Sequence, residues 1–280
     1  MRQDNSVEFL KEKAIDVRTT ILTMIHEAKS GHPGGSLSSA DILTALYFDE
    51  LNINPRNPKW DKRDRFVLSK GHACPVQYSC LALKEYFDYD EIFTLRKEGS
   101  ILQGHPDMKR CPGIDISTGS LGQGLSVAVG MALAAKRDKK DYRVFCVVGD
   151  GESNEGQIWE AVETASKYEL DNLVIIIDKN RLQNDNTCEF VMPSRDIAKK
   201  LDAFGCETQD IDGHKMEEIT QAFDKIRASK VKKPHAIVAH TTKGRGVSFM
   251  EDVVAWHGMA PNDEQFEIAL KEVKGGLVCK

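Results

Sequence analysis

A chain of 280 residues can bury a sizeable core within one domain, and 41% hydrophobic with 29% charged residues is the balance of a folded globular protein. The net charge of −5 argues against a nucleic-acid or anionic-membrane partner, so an anionic ligand would need local help from a metal or from helix termini. No apolar run reaches spanning length, no signal-type stretch follows the polar start, and seven scattered cysteines without a C-x-x-C pair predict free thiols in a reducing cytoplasm.

In chain order, Leu10, Ala14, Val17, Ile21, Met24 and Ala28 recur at three- and four-residue spacing and predict a helix over 6–29. Ser30-Gly31-His32-Pro33-Gly34-Gly35 stops it with a turn-prone segment that lets backbone approach a ligand. Ser38-Ser39-Ala40-Asp41 caps the next helix, through Tyr47 and Phe48, and Asn52 to Lys62 is a surface loop. Arg65 to Leu68 is a short strand ending at Ser69-Lys70-Gly71-His72, followed by a helix from Val76 to Tyr86. Gly104-His105-Pro106 precedes Ser117-Thr118-Gly119-Ser120-Leu121-Gly122-Gln123-Gly124, which opens a helix through Ala135 with one face of small residues.

Tyr142 to Val148 is nearly continuous apolar, the signature of a strand buried on both faces. It runs into Gly149-Asp150-Gly151, then a crossover helix over 154–168 with Ile158, Val162 and Ala165 inward. A second buried strand, Leu173 to Ile177, leads to Asp178-Lys179-Asn180. This β–α–β order predicts an α/β fold, a doubly wound, mostly parallel sheet with helices on both faces. Asp150 and Asn180 then sit at the carboxyl ends of two strands, where such sheets bind ligands. Two hard oxygen ligands beside a helix amino terminus suit a magnesium-like ion carrying a diphosphate, although Gly-Asp-Gly alone fits an ordinary strand–turn–helix equally well.

Beyond Asn180, Arg181 to Pro193 reads as a polar loop near the site, with helices over Ile197 to Phe204 and Met216 to Ser229. Gly205 to Thr208 leads to Asp212-Gly213-His214, and His235 to His240 is a further strand. Lys243-Gly244-Arg245-Gly246 begins a flexible stretch ending in Trp256-His257-Gly258-Met259-Ala260-Pro261, and a short helical tail starts near residue 263. With no repeat or linker, one domain over 1–280 is expected.

Eight of these segments, from Ser30–Gly35 through Ser69–His72, Gly104–Pro106, Thr118–Gly124, Gly149–Gly151 with Glu155-Gly156, Asp178–Asn180, Asp212–His214 and Trp256–Pro261, occur in one order. On them the chain resembles transketolase over nearly its whole length, specifically the amino-terminal, thiamine-diphosphate-binding domain with its diphosphate-binding (PP-type) fold. The resemblance implies that Asp150 and Asn180 ligate a divalent ion, Mg²⁺ or else Ca²⁺ or Mn²⁺, with the carbonyl of Leu182. Gly151 would lend its N–H to a phosphate. His72 and His257 would contact the diphosphate and face the reacting carbons. His32 and His105 would be the substrate-side histidines that shuttle protons and hold hydroxyls. The backbone around Gly119, Ser120 and Leu121 would meet the aminopyrimidine ring, with Ser120 standing where proline is more usual in single-chain members. Arg96 matches an arginine near the substrate channel. Glu155 matches an interface acid, and a carboxylate favoured by the helix dipole explains it equally. His26, His214, His235 and His240 read as structural, His214 as loop-shaping.

The family activates the pyrimidine ring with a glutamate and aromatics from a second domain, and this sequence stops at Lys280. The expectation is therefore one subunit of a split transketolase, completed by a separate C-terminal subunit in a two-plus-two heterotetramer. It would move a two-carbon ketol unit from a ketose phosphate to an aldose phosphate. The α subunit of a 2-oxo-acid dehydrogenase shares the Gly-Asp-Gly and Asn pair but lacks the His-Pro-Gly-Gly, Lys-Gly-His and Gly-His-Pro set. Deoxyxylulose-phosphate synthase shares the Ser120–Gly124 form on a longer chain. A non-catalytic cofactor-binding subunit would need fewer histidines. The donor is open between a pentose phosphate and a branched or sulfonated ketose.

Overall fold

Five extended segments pair as one all-parallel sheet in the computed structural model, which describes residues 5–275. In chain order the elements are α1 (Val7–Ala28), α2 (Pro33–Ser38), α3 (Ala40–Ala45), β1 (Arg65–Leu68), α4 (Cys74–Leu83), α5 (Gln123–Arg137), β2 (Val144–Gly149), α6 (Gly156–Lys167), β3 (Leu173–Lys179), α7 (Cys188–Val191), α8 (Ile197–Ala203), β4 (Glu207–Asp212), α9 (Met216–Ala228), β5 (His235–His240) and α10 (Asp263–Gly275). The strand order is β1-β2-β3-β5-β4.

The period-two geometry of the central strands divides their apolar side chains between two cores. Phe145, Val147, Val174, Ile176 and Ile237 face one layer with Leu10 and Ile21 of α1, Ile42 of α3, Val76 of α4 and Ile219 of α9. Val144, Cys146, Val148, Ile175 and Val238 face the other with Leu125 and Ala128 of α5, Ile158 and Val162 of α6 and Leu201 of α8. The small face of α5 packs on the sheet through Ala128 and Ala132. The doubly wound expectation is met.

Three local readings change. Residues 207–212 form β4, an edge strand the sequence hid because Glu-Thr-Gln-Asp-Ile-Asp has no apolar alternation and pairs only with β5. Pro33 does not extend the stop after α1 but opens α2 at its first turn, where a missing N–H is harmless. The helix expected through Phe48 ends at Ala45 and gives way to a π-turn over Leu46–Glu50, and Ser39 makes no side-chain cap. Its hydroxyl is used elsewhere, as described below.

Several histidines are structural. His26 stacks on Phe266 at 4.1 Å and pairs with Asp263 at 3.0 Å, closing α10 onto α1. His240 pairs with Asp210 between β5 and β4. His214 shapes its loop: Nδ1 bonds Asp41 at 2.8 Å while Nε2 accepts the Thr242 N–H at 2.8 Å. Asp41 also takes both arms of Arg18, at 2.8 and 2.6 Å. Cys74, Cys80, Cys111, Cys146, Cys188 and Cys206 are free and buried, and Cys279 lies outside the described residues. Among the described residues no helix is long and apolar enough to cross a membrane.

Burial alone would raise the Asp41 carboxyl, but Arg18 and His214 hold it well below its ordinary 3.8. The stability from this depressed group is full above that value and is lost as the pH falls below it. Asp41→Asn is expected to lower unfolding stability by about 3 kcal/mol at neutral pH, the scale of a broken buried pair. Denaturant titrations should show the gap to the native chain narrowing from neutral pH toward pH about 3; a gap constant across that range would refute the assignment.

Candidate active site

Four adjacent strands deliver their carboxyl ends to one place: β1 runs into Ser69-Lys70-Gly71-His72, β2 into Asp150-Gly151, β3 into Asn180 and β5 into Thr241-Thr242-Lys243. Their common anchor is Asp178, fully buried near the end of β3. Its Oδ2 accepts Lys70 Nζ at 2.6 Å, Ser38 Oγ at 2.7 Å and Asn180 Nδ2 at 2.8 Å, and its Oδ1 accepts Thr241 Oγ1 at 2.5 Å. Burial would push this carboxyl up; the Lys70 charge and these hydrogen bonds hold it down at about 2. Lys70, 2% exposed, spends its other two N–H bonds on Gly35 O at 2.8 Å and Ser39 Oγ at 2.6 Å. This is where the Ser38 and Ser39 hydroxyls go, and why the helix breaks between α2 and α3.

A second buried carboxylate, Glu152, closes the other side. Its Oε1 accepts Ser69 Oγ at 2.5 Å and the Gly122 N–H at 2.9 Å, and its Oε2 accepts the Gly149 N–H at 3.0 Å. The loop before α5 is thereby stitched to the ends of β1 and β2. The approach is close: a Cβ at Gly124 would sit 2.6 Å from Ser69 Oγ. Burial pushes the Glu152 carboxyl up.

Between these anchors lies a cavity of about 210 Å³ lined by Lys70, His72, Asp150, Asn180, Lys243 and His257, with Gly151, Leu121, Glu155 and Leu182 completing its wall. Asp150 is 3% exposed, and burial and the nearby Asp178 charge raise its carboxyl to about 6. It accepts the N–H groups of Arg181 at 2.6 Å and Gly151 at 2.8 Å, so the Gly151 donor is turned to its own neighbour. Asp178 fixes the Asn180 amide by taking its Nδ2, and Asn180 Oδ1 accepts the Leu182 N–H at 3.2 Å. A carboxylate, an amide oxygen and the Leu182 carbonyl form a hard-oxygen donor set of the kind Mg²⁺ takes. The Leu182 and Gln183 carbonyls accept Lys243 Nζ at 3.1 and 3.2 Å, so a cation at Leu182 would share that oxygen with a lysine.

The histidines gather at this cavity. The ring of His32 lies 5.2 Å from His72 and 5.4 Å from His257, and His72 lies 5.1 Å from His257. Lys243 Nζ reaches His257 Nδ1 at 2.7 Å, and Arg96 reaches His32 Nδ1 at 3.2 Å. His105, Gly119 and Ser120 line a neighbouring groove with Thr118 and Gln123, whereas Leu121 faces the cavity. Burial lowers all four rings, helped by Arg96 at His32 (about 4) and His105, by Lys243 at His257 (about 3), and by Lys70 at His72. Each ring is therefore held mainly in its neutral form near pH 7.

Sequence alone does not single out Lys70, Glu152 and Lys243. Lys70 stands inside one of the glycine–histidine motifs, but nothing local marks it as buried. Lys243 lies in the stretch that reads as flexible; it is 2% exposed, and that stretch is tied down where Gly244 N donates to Gly34 O at 3.0 Å. A lysine beside glycines reads as a surface loop until the carboxylates it faces are known.

The sequence profile described as "Transketolase, thiamine diphosphate binding domain" matches residues 10–277. The chain belongs to the transketolase family. An apulose-4-phosphate transketolase subunit of Phocaeicola vulgatus is 46% identical, over 95% of this chain and 94% of that protein. The 6-deoxy-6-sulfo-D-fructose transketolase subunit SqwG of Clostridium sp. (strain MSTE9) is 43% identical, over 95% of this chain and 96% of that protein. Human transketolase is 40% identical over 98% of this chain but only 43% of its own length. The crystal structure of Campylobacter jejuni transketolase superposes with a TM-score of 0.90 at 34% identity, over 96% of this chain and 43% of that one. The chain therefore spans about two fifths of the solved transketolases it matches, and the part it matches is the thiamine-diphosphate-binding domain of transketolase.

The Lys70–Asp178 pair is the interaction this transketolase domain should tolerate losing least. Lys70→Met leaves Asp178 charged and buried, and is expected to lower unfolding stability by about 3–5 kcal/mol. Denaturant melts of the full chain measure it; a loss below about 1 kcal/mol would show that Asp178 is neutralised by other means.

Proposed function

We propose that this chain is the cofactor-holding subunit of a two-subunit transketolase. It moves a two-carbon ketol unit from a ketose to an aldose together with a separate chain that supplies the pyrimidine side. The observation that carries this is the convergence of His32, His72 and His257 on a cavity walled by Asp150, Asn180 and Leu182.

When bound, thiamine diphosphate supplies the carbon nucleophile that a ketose C2–C3 cleavage requires. Asp150, Asn180 and the Leu182 carbonyl would hold Mg²⁺, or Ca²⁺ or Mn²⁺ in its place. The fit rests on the donor set itself: a carboxylate 3% exposed, a fixed amide oxygen and a backbone carbonyl at one cavity wall. The buried Lys243 charge and the rings of His72 and His257 favour an anionic group in the cavity, and Gly151 can turn its N–H to a phosphate. His32 and His105 meet the hydroxyls of the sugar as neutral rings and hold them for proton transfer. Arg96 sits at the substrate side through its bond to His32.

The need for a second chain is supported from two directions. The relatives matched nearly end to end are named as subunits. The cavity mouth also carries Leu121, 40% exposed, and the neighbouring turn reaches α7, where Asn154 Nδ2 donates to Met192 O at 3.1 Å. Phe190 and Met192 are 78% and 57% exposed there, an apolar surface suited to a partner. Glu155, exposed at the cavity rim, fits an acid that meets that partner. A two-plus-two heterotetramer in the cytoplasm is the assembly this reading implies. The names of the relatives span an apulose phosphate and a sulfonated fructose, so the donor class is a ketose with an anionic terminal group.

Turnover of a ketose donor panel, by the chain alone and mixed with its partner, tests the reading. Activity only in the mixture is expected; full activity of the chain alone would overturn it. His105→Ala should cut turnover by roughly 10²-fold or more while leaving cofactor affinity within about twofold; unchanged turnover would favour a merely cofactor-binding role. Asp150→Asn, or removal of divalent ions by chelation, should instead weaken thiamine diphosphate binding measured by calorimetry; unaltered binding would remove Asp150 from the ion site.

A further inference from the structure

The two ring nitrogens of His32 have unlike neighbours. Arg96 Nη2 lies 3.2 Å from Nδ1, and Arg96 Nη1 donates to Ser30 Oγ at 2.9 Å. A guanidinium has donors only and stays protonated, so Nδ1 must be the accepting nitrogen. The proton of the neutral ring then sits on Nε2. That nitrogen faces Gly258, where even a Cβ would stand 3.7 Å away, so no side chain covers it from that side.

Arg96 is itself held for this task. Its backbone is left-handed, with φ of 62°, and its N–H donates to Leu102 O at 2.8 Å. The guanidinium lies against Gly104, where a Cβ would come within 3.2 Å of Cζ, so the residue before His105 must be small. A left-handed non-glycine residue of this kind is held in place by its surroundings.

The geometry points to Arg96 as a positioning residue that locks His32 in the Nε2–H tautomer, so that His32 meets the sugar as a hydrogen-bond donor. This role rests on the transketolase reading above, in which His32 Nε2–H holds a carbonyl or hydroxyl oxygen of the sugar.

The tautomer is read without any turnover. Long-range ¹H–¹⁵N spectra of the full chain labelled with ¹⁵N-histidine, with His32 assigned by its loss in His32→Gln, should show Nδ1 as the bare nitrogen and Nε2 as the protonated one. Arg96→Met should shift His32 toward the Nδ1–H form while the His72 signals stay in place, showing an intact fold, and Arg96→Lys should restore part of the native population. A native His32 protonated on Nδ1, or tautomer populations unchanged in Arg96→Met, would overturn the proposal even if transketolase activity is found. With the partner present, Arg96→Met should lower kcat by roughly 10- to 100-fold, the scale of a lost hydrogen bond to a charged group, with KM nearly unchanged. His32→Gln keeps an N–H donor and should retain more turnover than His32→Ala; equal losses would refute the donor role. If the mixture turns over no ketose while the spectra show the expected tautomer, the transketolase reading fails and the Arg96–His32 lock stands.

Discussion

A carboxylate with no access to water, Asp178, is the constraint on which the rest of this domain depends. Left without counter-charge it would carry a desolvation penalty of several kcal/mol. Lys70 supplies the charge, and Ser38, Asn180 and Thr241 supply the hydrogen bonds, so segments from four parts of the chain are fixed by one side chain. The proposed ion side of the cavity inherits this order. The Asn180 amide is fixed because Asp178 takes its nitrogen while its oxygen accepts the Leu182 N–H, and Gly35 and Ser39 are placed because Lys70 has bonded them.

The local charge balance follows the same logic. Three buried carboxylates, Asp150, Asp178 and Glu152, face two buried lysines, Lys70 and Lys243. Asp178 is matched by Lys70, Glu152 by hydroxyl and amide donors, and Asp150 by the N–H groups of Arg181 and Gly151 with no cation bonded to it. In the proposed reading that residue takes the divalent cation. Burial first, then the charges of Lys243 and Arg96 beside the histidines, keeps the rings uncharged. An overall acidic chain can thus hold an anionic cofactor, with attraction built locally rather than from its surface field.

How far this was legible in the sequence differed by element. The buried strands 144–149 and 173–179 were plain, because strands covered on both faces are almost wholly apolar. The histidines and Asp150 were found because short motifs place them beside glycine turns. The edge strand 207–212 was not, since an edge needs little apolar surface and its ladder is made by backbone. The parts of Asp178, Glu152 and Lys243 were invisible for another reason. Ser38 and Asp178 are 140 residues apart, and Ser69 and Glu152 are 83 apart, so no local pattern could pair them. The Gly-Asp-Gly and Asn pair marked two strand ends that the fold brings to one cavity; the buried polar contacts that hold those ends are properties of the tertiary fold.

The strand order carries a consequence for how the chain is made. On one side β3 pairs with β2, already synthesised, but its other neighbour is β5, and β4 emerges before β5 does. Until residues 235–240 leave the ribosome, Leu173 to Ile177 keep one edge open, an apolar and strongly β-forming run of the sort that joins other chains. Asp178 likewise lacks Thr241 through that interval. The interval between release of β3 and release of β5, with the central strand half paired, is a time at which this domain is open to aggregation and served by a chaperone.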